Sequence, residues 1–200
     1  GSDDESQSDD IAPIAYDRAK MLVHWADKII LPAHSSFKQT LIDLDNSTKS
    51  FVAIPNQSNL DDIRSKWLIS YKSWQHIEMF DIGKSEEIYF KSKMNSYPAF
   101  KTRIENNIML GNTNFDDVSN YSSQGFPALD YMLFGIASDD TNILNKYTGG
   151  YDYSNYLTSL VNKMLNSTNS VINDWNDYTT HWSQSLYNLS NWWRGCNRDI

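Results

Sequence analysis

The chain has 200 residues, 40% hydrophobic and 14% aromatic, enough to bury the core of one domain. Its net charge of −8 comes largely from Asp3, Asp4, Glu5, Asp9 and Asp10, and no basic stripe of the kind that tracks nucleic acid is present. The single cysteine, Cys196, excludes an internal disulfide framework and a zinc–cysteine cluster, and no apolar run reaches the roughly 18 residues of a membrane span.

Residues 1–10 read as a disordered acidic tail in which Gly1-Ser2 is a cloning remnant, and residues 11–200 as one helical domain. Pro13 opens a helix whose face carries Ile14, Ala15, Ala19, Leu22, Trp25, Ala26 and Ile29. Pro32 should kink it, after which Phe37, Leu41, Leu44 and Phe51 resume the pattern. Pro55 and Asn56 mark a loop. A second helix starts near Asn59 as N-cap and carries Leu60, Ile63, Trp67, Tyr71, Trp74, Glu78 and Asp81 on one stripe, with Gly83 as its stop. Residues 84–107 read as a short helix with irregular links, broken at Tyr97-Pro98, and Ile104 and Ile108 begin a further short apolar stretch. Residues 111–124 are a polar loop, and residues 138–150 are polar again.

Between them, Gln124 ends the polar run and an almost wholly apolar segment follows to Gly135, with Asp130 as its one carboxylate. Pro127 suits the first turn of a short buried helix, and an acid buried among Phe126, Leu129, Met132, Leu133 and Phe134 needs a partner. A long amphipathic helix is predicted from Tyr151 to about Asn176, and a last one over Thr180–Trp193. With no β pattern, the fold class is all-α, a bundle of four main helices plus short ones.

Two acids stand out as site candidates. Glu78 sits on the apolar stripe of the second helix, and Asp130 sits in the apolar segment. If both point inward they meet across the bundle, where paired carboxylates bind metals. The bland readings are a solvated Glu78 near a helix end and an Asp130 that only complements a helix dipole. His24, His34, His76 and His181 form no metal motif, and no nucleophile elbow or phosphate-binding glycine loop is present.

The ordered combination of Trp25-Ala26-Asp27-Lys28-Ile29-Ile30-Leu31-Pro32-Ala33, then Trp67-Leu68-Ile69-Ser70-Tyr71-Lys72-Ser73-Trp74 with Glu78, Phe80 and Gly83, then Asn95-Ser96-Tyr97-Pro98, then Gln124 to Gly135, resembles the imelysin-like family over about residues 11–178. The resemblance implies one half of a two-bundle helical fold and an exported bacterial protein, periplasmic or an outer-membrane-anchored lipoprotein. It also implies association with peptidase activity and iron uptake, and a site at a G-x-H-x-x-E motif. Gly125 matches that motif, Pro127 stands in place of its histidine, and Asp130 stands in place of its glutamate. Losing the imidazole removes the best transition-metal ligand.

The resulting expectation is a non-catalytic imelysin-like binding or iron-uptake accessory protein of the envelope. Its binding site would comprise Gly125, Pro127, Asp130 and Glu78. Asp130 and Glu78 are the candidate metal ligands, for a divalent cation such as iron, zinc or calcium. The alternatives are a metal-dependent peptidase, which needs a histidine from elsewhere in the chain, and a scaffold domain without a small-ligand site. Expected partners exclude nucleic acid and include an envelope protein or a second copy. The family's second bundle half is not recognisable after Asp177, and the face it would cover is left apolar. Membrane association is expected only through a lipid anchor.

Overall fold

The first helical unit is one nearly continuous helix with an extra residue in it. In the computed structural model, which describes residues 18–149 and 152–177, α1 (Arg18–Trp25) passes through a π turn (Ala26–Ile30) into α2 (Leu31–Ala53). Pro32 explains that turn: it offers no N–H and its ring crowds the carbonyl four residues back, and a widened turn relieves both. The interruption expected at Pro32 therefore takes the form of a π turn just before it, and the added residue rotates the apolar face. Trp25 and Ile29, expected inward, are 46% and 48% exposed, whereas Ala26 and Ile30 are buried. Beyond the turn Phe37, Leu41, Leu44 and Phe51 are fully buried, as their spacing predicts.

α3 (Gln57–Trp74) begins earlier than expected, because Asn56 rather than Asn59 is its N-cap and accepts from the Asn59 N–H at 2.9 Å. The Asn59 amide donates to the Ile54 carbonyl at 2.8 Å and so ties the end of α2 to the start of α3. α3 also ends at Trp74, well short of Gly83, so Glu78 lies in the turns beyond it and Asp81 in the irregular link that follows. Three short helices follow: α4 (Lys84–Glu87), α5 (Phe90–Met94) and α6 (Lys101–Leu110), with a cis Tyr97–Pro98 peptide between the last two.

Both polar stretches carry more structure than their composition suggests. A 3-10 turn covers Val118–Ser123, and α7 (Gly125–Asp130) then runs into a second π turn, Tyr131–Gly135. The stretch expected as a polar linker contains α8 (Asp140–Thr148). Asp139 caps it by accepting from the Asn142 N–H at 2.9 Å, and Ile143 and Tyr147, one turn apart, bury its inner face. α9 (Tyr153–Asn176) is capped by Asp152, which accepts from the Asn155 N–H at 2.8 Å.

The result is the all-α bundle expected. α2 packs along both α3 and α9, and the apolar side chains of α7 and its π turn (Phe126, Leu129, Met132, Leu133) enter the same core with at most 1% exposure. Among the described residues there is no strand, and no helix is long and apolar enough to cross a membrane. The helix expected over Thr180–Trp193, and the tail of residues 1–10, lie outside the described residues.

Candidate functional site

The site is built around the entry to α7. Gly125 has φ +73°, and a Cβ there would stand 2.2 Å from the Met94 carbonyl oxygen and 2.5 Å from that of Lys93. Only glycine lets α7 begin this close to the end of α5. The preceding loop is held by buried polar groups. The Gln124 amide donates to the Phe115 carbonyl at 2.7 Å, the Asn107 amide donates to Asn120 Oδ1 at 3.0 Å, and the Tyr156 hydroxyl donates to the Ser123 carbonyl at 2.7 Å. Burying these amides is affordable because each finds a partner.

The far end of the segment is clamped from outside. A π turn leaves carbonyls without their usual helical donors, and here side chains supply them. The Arg64 Nε and Nη2 groups donate to the Leu133 carbonyl at 3.0 and 2.8 Å, and the Tyr147 hydroxyl donates to the Met132 carbonyl at 2.9 Å. Arg64 gives two further donors to Asp140, at 2.9 and 2.6 Å, and its guanidinium lies 4.6 Å from the Phe134 ring centroid. The hydrogen bonds from Arg64 hold the Asp140 carboxyl well down, at about 2, with the Gln57 amide helping.

Between these two anchors the segment floors a cavity of about 610 Å³. Trp67 and Tyr71 form one wall, stacked at 5.7 Å with planes 10° apart, and the Trp67 Nε1–H donates to the Phe126 carbonyl at 3.2 Å. Phe126 and Phe134 close in on that pair at 5.3 and 5.6 Å. Asn95, Tyr97 and Pro98 face it, and Tyr97 is 87% exposed. Tyr131 completes the lining. Its hydroxyl donates to Glu105 at 2.7 Å, and burial together with that carboxylate pushes the phenol far above its ordinary value.

Two opposite charges share the cavity, Asp130 and Lys101. Asp130 is exposed at the end of α7, not buried near the start of a helix, so only part of the burial cost foreseen from the sequence remains. Partial desolvation raises its carboxyl above the ordinary range, and the Lys101 charge works against that rise. Lys101 Nζ also sits 5.5 Å from the Tyr131 ring centroid.

Of the four site residues named from the sequence, Pro127 and Asp130 line this cavity, and Gly125 lies buried behind it as the residue that sets α7 in place. Glu78 is not part of the lining. It is partly exposed beyond the end of α3, with Lys91 Nζ 3.7 Å from its carboxylate. The imidazoles do not supply the donor missing at Pro127. His34 is buried, its Nδ1–H donates to the Ile30 carbonyl at 2.9 Å, and burial lowers its pKa. His24 and His76 are exposed and outside the lining, and His181 and Cys196 lie outside the described residues. Among the described residues no three His, Cys, Asp or Glu side chains come together as a metal-binding group. The nearest charge to the Asp130 carboxylate in the cavity is an ammonium, which opposes a cation. The residues present therefore do not fit a divalent ion at Asp130.

Lys101 and Tyr131 line the cavity, and Arg64 and Glu105 brace it through Leu133 and Tyr131; no pattern in the sequence singles these four out. Trp67 and Tyr71 were readable only as core, and their half-burial is what makes them a cavity wall. A signal was present in Tyr97-Pro98, where an aromatic precedes a backbone break, but nothing in one sequence places it opposite Trp67.

Comparison with known proteins gives one result. The family model described as Imelysin matches residues 30–194. No curated protein and no solved structure matches the chain.

Proposed function

The chain belongs to the imelysin family, and from that premise we propose that it is a non-catalytic binding module of the bacterial envelope, an accessory to uptake, whose ligand enters the cavity above Phe126. The observation that supports this reading is convergence. Of the four segments that carry the family resemblance, three that lie far apart in the chain, around residues 67–74, 95–98 and 124–135, contribute to one cavity lining, while residues 25–33 lie outside it. Segments chosen only for packing have no reason to meet at an open, largely apolar cavity that carries two charges.

The chemistry of the lining favours an organic ligand over a bare ion. The stacked Trp67–Tyr71 pair and Phe134 offer ring faces, and Asp130 and Lys101 offer one acceptor and one donor at the opening. A ligand with a flat apolar body and a charged or polar group is complementary to that arrangement. Iron reaching such a site would be cargo carried within an organic chelate. The peptidase reading needs a water-activating metal on about three protein ligands, and Pro127 gives none of them. Envelope location and a protein partner belong to the same proposal. Cell fractionation of the source bacterium tests the first, and cross-linking in its envelope tests the second.

The binding claim is tested with the fluorescent probe 1-anilinonaphthalene-8-sulfonate, a planar ring system bearing an anion. Saturable one-site binding is expected for the wild type, and it should vanish in Ala99→Trp, whose indole fills the cavity, while circular dichroism stays unchanged. Binding that survives Ala99→Trp places the probe elsewhere and overturns the assignment. In parallel, casein incubated with metal-stripped protein and added zinc or iron should stay intact. Cleavage abolished by Asp130→Asn would restore the peptidase reading.

A further inference from the structure

A second cavity, of about 370 Å³, lies on the side of the bundle where α5 meets α9, and its polar groups do not balance. Lys93, from α5, is nine-tenths buried and donates to Asp116 at 2.8 Å. Lys163, from α9, donates to both oxygens of the same carboxylate at 2.7 Å. Asp116 sits in the loop after α6, and its side chain is 67% exposed. Among the described residues it is the one hydrogen-bond acceptor that the two ammonium groups reach. Glu87 also borders the cavity, but it is engaged by Lys84 at 2.7 Å.

The geometry therefore places two cations on one loop-borne anion. An ammonium has three donors; the buried Lys93 uses one of them on Asp116, and its charge also lies 5.5 Å from the Tyr121 ring centroid. Burying a charge that is only partly satisfied is expensive, so its remaining donors favour any acceptor small enough to enter. The rest of the lining suits such a guest. The Tyr89 and Tyr121 rings stand 6.0 Å apart, and Asn166, Ser167 and Ser170 supply polar groups from α9. Tyr89 is held at φ +56° in the left-handed region, unfavourable for an L residue, while its side chain stays 61% exposed at this cavity. Strained residues held at an opening recur at binding sites.

We propose that this cavity is an anion site, taking a small carboxylate or phosphate on Lys93 and Lys163, with Asp116 as the built-in counterion that the guest joins or displaces. It is separate from the aromatic cavity and does not depend on what binds there. Hydrogen bonds from Lys163 and then Lys93 hold the Asp116 carboxyl down at about 2, as expected of a strongly engaged counterion.

The test is a titration of isotopically labelled protein with sodium citrate and with sodium phosphate at constant ionic strength, following the backbone amide resonances of residues 93, 116 and 163. Saturable shifts at these positions are expected with at least one of the two anions. The anion that produces them identifies the guest as a carboxylate or a phosphate. Asp116→Asn removes the competing charge and should tighten binding about tenfold, and Lys163→Gln should weaken it by about tenfold or more, since a charge-assisted hydrogen bond is lost. Lys163 is partly exposed, so this variant keeps the fold even if Lys93→Gln does not. Absence of saturable shifts in both the wild type and Asp116→Asn overturns the proposal. So does binding that Lys163→Gln leaves unchanged.

Discussion

Replacing Gly125 by alanine isolates the contact that seats α7. Two costs add. A left-handed φ of +73° disfavours any L residue by roughly 1–2 kcal/mol. The new methyl would also stand 2.2 Å from the Met94 oxygen and 2.5 Å from the Lys93 oxygen, both rigid backbone atoms. Relief requires α7 to withdraw by about 1 Å, which loosens Phe126 and Leu129 in a close-packed core, and overpacking of this kind costs about 1–3 kcal/mol. The sum is roughly 2–5 kcal/mol, or a fall in Tm of about 4–20 °C for a domain of this size. Gly111 is the control. It has φ +63°, but an added Cβ there meets nothing within 4 Å, so Gly111→Ala carries only the backbone cost of roughly 1–2 kcal/mol. Urea denaturation followed by far-ultraviolet circular dichroism measures both. If Gly125→Ala costs no more than Gly111→Ala, the close approach of α7 to the α5 carbonyls is not what fixes the segment.

Arg64→Met removes the donors from the Leu133 carbonyl and should cost about 2–4 kcal/mol in urea denaturation, because an acceptor is left without its charged partner. The paired Asp140 carboxyl has a folded pKa lowered to about 2, so its contribution is complete above about pH 4 and is lost as pH falls toward 2. Its exposure limits that loss to about 1 kcal/mol or less, and Asp140→Asn should flatten this part of the acid denaturation curve. His34 behaves in the opposite sense to a paired histidine. Burial lowers its folded pKa, so the unfolded chain takes up a proton first, and stability rises with pH through the ordinary histidine range. Denaturation at pH 5 and pH 7.5 should show that gain in the wild type and lose it in His34→Leu.

The bundle was legible because long helices state their period plainly. The apolar positions of α2 and α9 sit three and four apart over many turns, and nearly all are buried. The misreadings come from features with no periodicity to read. The π turn before Pro32 moved Trp25 and Ile29 outward by inserting one residue, which no residue-type preference announces. α8 was hidden because two buried residues, Ile143 and Tyr147, are too few to show a period, and its only local signal was the Asp139 cap. Glu78 was placed on a buried stripe because the stripe continues in sequence past Trp74 while the helix does not.

The candidate site was half legible for the same physical reason. Gly125, Pro127 and Asp130 form a local motif, and a local motif survives in one sequence. Their surroundings are set by long-range contacts. Arg64 reaches Leu133 across 69 positions and Trp67 reaches Phe126 across 59. Those contacts decide what the motif can do. Asp130 next to an imidazole would read as a metal ligand. Asp130 beside Lys101, with Pro127 on the same face and an aromatic wall opposite, reads as one end of a ligand cradle. Pro127, which offers no ligand atom, and the Lys101 ammonium push the local chemistry in the same direction. A proline without a ligand atom and an ammonium that repels cations together disfavour a metal at Asp130 more than either residue does alone.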